Sequence, residues 1–329
     1  CFRRARTRHA DPLGTRQQPP DTAGRACERR LEYSLPRVAA IGMQHRMRTC
    51  EPARQAARQW EVMMGRLCLV TGASAGIGAA FAREYARRGY DLAVTARRAD
   101  RLEALAEEIR FNHAVRVLVL PADLADPAAP ADILAALARE GQAPDALVNN
   151  AGYGLPGTFA ESDWRTHSAF LQVMVNSYCE LAHGVWAGML ARRFGRIINV
   201  ASLAGHLPSA AGHTMYAASK SFLIRFTQAL HLEGAPQGVH ATAVCPGFTY
   251  SEFHDVNGTR GIVSKLPKAL WQSADDVARQ GAEACERNQA VIVTGGPNKA
   301  IAALGKILPD QLALAVMKSQ GARFRRTGP

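Results

Sequence analysis

From residue 63 onward the chain alternates short unbroken apolar runs with longer stretches whose apolar positions recur every three or four residues. An unbroken apolar run predicts a strand buried on both faces, and the three-to-four spacing predicts an amphipathic helix. The runs fall at 67–71, 91–95, 115–120, 146–149, 196–201, 239–244 and 290–293. Between them the helical period holds over 77–88, 98–110, 127–140, 164–192, 215–233 and 274–287. Strands separated by helices must be joined by crossovers, and right-handed crossovers put helices on both faces of one parallel sheet. The expectation is therefore an α/β fold, a doubly wound parallel sheet of seven candidate strands inside a three-layer α/β/α sandwich, spanning residues 63–297.

Two flanking segments break this pattern. Over 298–324, Ile301, Leu304, Ile307, Leu308, Leu312, Leu314 and Met317 stand among Lys and Arg, so the extension 298–329 is expected to hold one or two amphipathic helices. They are expected to pack on the domain or on a neighbouring subunit, with peripheral membrane contact as the alternative. Residues 1–62 have no apolar period, a Pro19-Pro20 pair and no hydrophobic segment of the secretory type. Because Met63-Met64-Gly65-Arg66 directly precedes the first strand, 1–62 reads as upstream sequence translated ahead of the true start, or as a disordered basic tail. An Arg-rich organelle-targeting peptide is the alternative, opposed by the acids and prolines in the segment.

Composition changes the picture in only a few places. With 47% hydrophobic and 21% charged residues the chain is ordinary globular material. Its net charge of +12 is uneven, since 1–62 carries 13 Arg, no Lys and six acids. The basic balance is thus no footprint of a nucleic-acid domain, and no nucleic-acid partner is expected. No apolar run approaches the roughly 18 residues of a membrane span. The seven cysteines show neither a CxxC pair nor zinc spacing, so no metal site and no disulfide framework is expected, and the cytoplasm is the expected location.

The sharpest local signal is Thr71-Gly72-Ala73-Ser74-Ala75-Gly76-Ile77-Gly78, between a predicted strand and a predicted helix. Glycines there permit a tight turn and let backbone N–H groups approach a pyrophosphate at the helix N-terminus. The next strand ends at Thr95-Ala96-Arg97-Arg98. A dinucleotide fold usually sets an acid there for the ribose 2′-hydroxyl. Ala96 in that place removes a repulsive carboxylate, and Arg97 supplies a guanidinium for a 2′-phosphate, which favours NADP(H) over NAD(H). Ser202 follows a strand at the carboxyl edge of the sheet, where ligands of open sheets bind. Tyr216 and Lys220 are four apart on one face of a predicted helix, so the ammonium is expected to lower the phenol pKa and fit it for proton transfer.

Together these residues resemble the short-chain dehydrogenase/reductase superfamily, in its compact single-domain form with a Rossmann-like sheet. The motifs occur in family order: Thr71 to Gly78, Asp123-Leu124, Asn149-Asn150-Ala151-Gly152, Ser202, Tyr216 to Lys220, and Cys245-Pro246-Gly247. The resemblance implies that Gly72, Ser74, Gly76, Ile77 and Gly78 hold the cofactor phosphates and that Asp123 and Leu124 border the adenine. It implies that Asn150, Ala151 and Gly152 line the inner edge of the cofactor and that Pro246 and Gly247 flank the nicotinamide. Tyr216 is then the acid/base, Lys220 the ribose anchor, and Ser202 the group that orients the carbonyl. One departure stands out: the family commonly has an Asn where a gap-free count lands on Met174, and Asn176, two residues on, falls about 200° around the helix. Either a local irregularity brings Asn176 in, or that part of the site is built differently.

The loops expected over the substrate contribute Tyr153, Leu155, Phe248, Tyr250, Phe253, Leu266, Leu270 and Trp271. Such a lining suits a lipophilic ketone, aldehyde or secondary alcohol. His206, His213 and His254 near the expected mouth read as structural or solvated. The functional expectation is an NADP(H)-dependent oxidoreductase, with a 3-oxoacyl thioester reductase and a non-catalytic NADP-binding regulatory homologue as alternatives. By resemblance, a homodimer or homotetramer is expected.

Overall fold

The computed structural model describes residues 65–155, 157–212, 214–251, 267–309, 311–315 and 318. The expectations for 1–62, and those for His213, Phe253, His254 and Leu266, lie outside the described residues. In chain order the main elements are β1 (Leu67–Thr71), α1 (Gly76–Arg87), β2 (Asp91–Thr95), α2 (Ala99–Asn112), β3 (Val117–Val119), α3 (Ala129–Arg139) and β4 (Ala146–Asn149). They continue with α4 (Trp164–Leu171), a π-helical turn (Gln172–Asn176), α5 (Ser177–Arg192), β5 (Gly195–Val200), α6 (Thr214–Gly234) and β6 (Val239–Cys245). The last are β7 (Phe248–Tyr250), β8 (Trp271–Ser273), α7 (Ala274–Glu286), β9 (Val291–Val293) and α8 (Gly296–Ile307).

Seven strands form one parallel sheet in the order β3-β2-β1-β4-β5-β6-β9. Side chains alternate faces along a strand, so β1 sends Cys68 and Val70 one way and Leu67 and Leu69 the other. The first face is covered by Phe81 and Tyr85 of α1, Leu102 and Ile109 of α2, and Val277 and Ala282 of α7. The opposite face is covered by Ile133 and Leu137 of α3 and by Leu181, Val185 and Met189 of α5. Both faces are dry, which is why these strands read as unbroken apolar runs rather than as alternation. The Rossmann-like three-layer sandwich is therefore present, with helix and strand ends within two residues of their predicted positions.

The chain winds outward from β1 in both directions, toward β2 and β3 on one side and β4 onward on the other. That reversal opens a crevice at the carboxyl ends of β1 and β4, the place where open α/β sheets take ligands. A small second sheet was not expected from the sequence: β7 and β8 pair in parallel, Phe248 opposite Trp271 and Tyr250 opposite Ser273. Three-residue strands leave too little periodicity to read.

Candidate active site

The glycine turn is held by the chain that leaves β4. The Thr71 hydroxyl accepts from the backbone N–H of Asn150 (2.9 Å) and of Ala151 (3.0 Å), fixing both to the end of β1. The Asn150 amide in turn donates to the carbonyls of Thr71 (3.0 Å) and Gly72 (3.2 Å). Gly72 has φ +65, and a Cβ there would stand 2.8 Å from the Ala151 Cα. Gly76 has φ +55, and a Cβ there would press on Ser251 at 2.9 Å. Both positions are closed to other residues by conformation and by space. Helix α1 begins at an extended Ala75 with no side-chain cap and no acid in its first turn. Its first N–H groups are open to an anion, and the macrodipole adds to the attraction. This turn fits a dinucleotide pyrophosphate, with Ile77 packed back onto the core and Gly78 buried against Gly72.

Beyond β2 the two arginines diverge. Arg98 carries its guanidinium to the Ser74 hydroxyl, Nη2 at 3.1 Å and Nε at 3.3 Å, so it is this residue that reaches the glycine turn. Arg97 is exposed, and it stands close enough to Tyr153 for its charge to pull down a phenol pKa that burial raises. Of the two arginines, the sequence pointed to Arg97 for the phosphate role. Arg98 does sit at the N-cap of α2, yet its side chain turns back to Ser74. Across the crevice, Asp123 is exposed and accepts from the Ala125 N–H at 3.0 Å, while Leu124 is buried.

Ser202, Tyr216 and Lys220 come together at the carboxyl end of β5. Ser202 caps the short turn Leu203–His206, accepting from the Ala204 N–H at 3.1 Å, and the next N–H, of Leu203, donates to Pro246 at 2.8 Å. Pro246 and Gly247 are thereby tied to the serine turn. Tyr216 and Lys220 share one face of α6, with Nζ 5.8 Å from the Tyr216 ring centre. Lys220 is only 4% exposed, and its Nζ donates to the Val200 carbonyl at 2.8 Å. Burial brings its ammonium down to about 7. Burial also pushes the Tyr216 phenol up to about 12, with the Ser202 hydrogen bond pulling the other way. The expectation that the lysine lowers the phenol pKa is not met: desolvation opposes both charges, and the hydroxyl of Ser202 is what favours phenolate here.

A buried amide ladder positions this cluster. Asn149 donates to the Tyr178 carbonyl (3.1 Å) and to Asn199 Oδ1 (3.0 Å), and Asn199 donates to Thr227 Oγ1 (2.9 Å), so β4, β5, α5 and α6 are locked in register. The predicted single helix over 164–192 is interrupted by the π-helical turn at Gln172–Asn176. The irregularity does not bring Asn176 inward: it remains exposed, its Nδ2 on Gln172 Oε1 at 2.9 Å. Met174 is fully buried and covers Gly152, where an added Cβ would be 2.8 Å from its sulfur. Sequence reasoning missed Tyr178, four residues further on. Its hydroxyl donates to the Ala151 carbonyl at 2.9 Å and its ring centre lies 5.6 Å from Lys220 Nζ. Only the spacing from Met174 could have pointed to it.

The β7–β8 pair gathers three aromatic rings: Trp271 stacks on Tyr250 (centroids 4.8 Å apart) and lies beside Phe248 (5.7 Å). Tyr250 itself borders the groove of the glycine turn, with Ser74, Gly76 and Arg101, and not the substrate loops as expected. Tyr153 instead packs edge-on to the buried Phe170 at 5.4 Å and belongs to the core side. His206 is held below its usual range by burial and by the charges of Lys306 and Arg225, in keeping with a structural residue. Among the described residues no cluster of His, Cys, Asp and Glu could hold a metal ion, and no helix is long and apolar enough to cross a membrane.

Comparison with known proteins agrees with this geometry. The profile of the short chain dehydrogenase family matches residues 66–259. Nodulation protein G of Rhizobium sp. (strain N33) is 34% identical over 243 residues, covering 71% of this chain and 94% of that protein. Among solved structures, a short-chain dehydrogenase from Sphingobium yanoikuyae in complex with NADPH has a TM-score of 0.65 at 30% identity, covering 76% of this chain and 95% of that one. The bulky-bulky ketone specific alcohol dehydrogenase from Comamonas testosteroni has a TM-score of 0.61 at 27% identity, covering 74% and 95%. A crevice at the carboxyl ends of β1 and β4, a glycine turn at a helix N-terminus and this breadth of similarity agree: the chain belongs to the short-chain dehydrogenase/reductase family and is an NAD(P)-dependent oxidoreductase acting on CH–OH and C=O groups.

Proposed function

We propose that this protein is an NADP(H)-dependent reductase of lipophilic ketones or aldehydes, running also as a dehydrogenase of the matching alcohols, with residues 63–297 as its catalytic domain. The observation that carries the reading is the cluster at the end of β5, where Tyr216 accepts support from Ser202 and sits beside buried Lys220. When bound, the reduced nicotinamide supplies the hydride that adds to the carbonyl carbon. As that carbon is reduced, negative charge develops on the carbonyl oxygen, and Tyr216 Oη gives it a proton. Ser202 holds the same oxygen by a hydrogen bond. Lys220, near neutrality in its pKa, anchors the ribose hydroxyls and exchanges the proton that restores the phenol. Gly72, Gly76 and Gly78 with the α1 N-terminus hold the pyrophosphate, Asp123 and Leu124 border the adenine, and Asn150 to Gly152 with Pro246 and Gly247 line the nicotinamide half.

The NADP(H) preference rests on a pair of arginines with no acid after β2, and on the reach of Arg98 to Ser74. Guanidinium groups pair well with a phosphate dianion. Several similar structures carry NADPH, and the ketone-specific relative points to bulky substrates. Phe248 and Trp271, with ring centres 5.7 Å apart, offer an apolar wall for such substrates. The test is turnover of a panel of bulky ketones, small polar carbonyls and 3-oxoacyl thioesters with NADPH and with NADH. Oxidation of NADPH by bulky ketones supports the reading, and turnover confined to small polar carbonyls or to NADH overturns it. Activity on thioesters alone would favour a 3-oxoacyl reductase.

A further inference from the structure

We propose that the outward face of α8, with the helical residues 311–315 that follow, docks on an anionic phospholipid surface. Helix α8 faces the protein with its small residues: Asn298 is 1% exposed, Ala302 4% exposed, and Gly305 backs onto Leu207. Ile301 is half-buried, while Leu304 and Ile307 point outward, 58% and 79% exposed. Leu312 and Leu314 continue the patch, each 53% exposed. A surface helix ordinarily turns its apolar stripe to the core, and here Leu304 and Ile307 depart from that.

The charges at the edge decide the occupant. Lys299 and Lys306 are exposed on the same helix, Lys318 is exposed further along the chain, and no described residue from 296 onward is acidic. In the sequence from 296 to 329 there are six Lys or Arg and one Asp. An apolar stripe bordered by lysines is the pattern of a helix lying in a lipid interface, where the apolar side chains enter the acyl boundary and the cations meet acidic headgroups. A second copy of the chain is the poorer occupant. Four such side chains expose a few hundred Å2, short of the about 800 Å2 per partner of a stable interface, and self-pairing would bring like charges together.

The test is sedimentation of the full chain with vesicles of phosphatidylcholine, or of phosphatidylcholine mixed with phosphatidylglycerol, for the natural sequence and for Ile307→Glu. Ile307 is almost fully exposed at the end of α8, so its replacement leaves the core unchanged, which circular dichroism and NADPH binding will verify. The expected result is binding to the acidic vesicles that weakens with salt, is at least about tenfold weaker on pure phosphatidylcholine, and falls at least about tenfold in Ile307→Glu. Absence of binding overturns the proposal. So does binding that persists in Ile307→Glu, because the Arg-rich residues 1–62 would then account for it. A dimer that Ile307→Glu converts to monomer, with no vesicle binding, would assign the face to a second copy instead.

Discussion

The Lys220 ammonium donates to the Val200 carbonyl at 2.8 Å, inside the protein, with the ring centres of Tyr178 and Tyr216 at 5.6 and 5.8 Å. Burial lowers its pKa from the usual lysine range to about 7. In the unfolded chain the same group stays protonated to about pH 10. From pH 7 upward the unfolded state therefore holds the extra proton, and the contribution of this group to stability rises with pH; below pH 7 both states are protonated and the full cost of the buried charge is present. The buried thiols act in the opposite sense toward pH 8.5, since burial raises them in the folded chain while in the unfolded chain they titrate at about 8.5. The lysine contribution is therefore read as the difference between the natural protein and Lys220→Met in urea unfolding without cofactor, which should grow between pH 7 and 8.5 by an amount on the order of 1–2 kcal/mol in favour of the natural protein. An equal pH dependence in both proteins would refute the assignment.

Tyr216→Phe removes the hydroxyl that meets Ser202 and keeps the ring beside Lys220. Reduction should fall by about 10²–10⁴-fold, the range for loss of a positioned proton donor, while NADPH affinity changes little. Single-turnover oxidation of bound NADPH separates these two effects. A variant that retains near-full turnover would mean that another group delivers the proton.

Cofactor preference should depend on Arg98 more than on the sequence suggests. Arg98→Ala takes a guanidinium from the Ser74 hydroxyl, and a charge-assisted bond to phosphate contributes about 1.5–3 kcal/mol. The Kd for NADPH should rise about 10- to 100-fold, with that for NADH nearly unchanged. Arg97→Ala, whose side chain is exposed near Tyr153, should have the smaller effect. Titration of all three proteins with both cofactors checks the order, and equal weakening of NADPH and NADH would remove the 2′-phosphate role.

Asn298 of α8 lies flat against Gly247, and its Nδ2 donates to the Thr294 carbonyl at 3.1 Å. A Cβ at Gly247 would fall on that amide. Gly247→Ala should therefore destabilise the protein by about 1–3 kcal/mol through overpacking. Adding Asn298→Ala should recover part of the loss, a coupling that a double-mutant cycle in urea measures directly. Additive effects would show that the two sites do not meet.

The sequence made the sheet legible because its strands are dry on both faces: Leu67 to Thr71 and Ala146 to Asn149 are buried throughout, with a polar side chain only at the last position of each. The glycine turn was legible because positive φ at Gly72 and Gly76 is a demand on residue type that the chain itself displays. So was the face shared by Tyr216 and Lys220, since helical spacing alone joins them. The tertiary structure decided what depends on side chains from distant segments. It turned Arg98 rather than Arg97 to Ser74, set Tyr178 beside Lys220 across two helices, and kept Asn176 outside in spite of a π-helical turn. It also decided the sign of the tyrosine shift. Proximity to a cation is written in a four-residue spacing, but the loss of water that raises the Tyr216 phenol and lowers the Lys220 ammonium arises only when β5, α5 and α6 close around them.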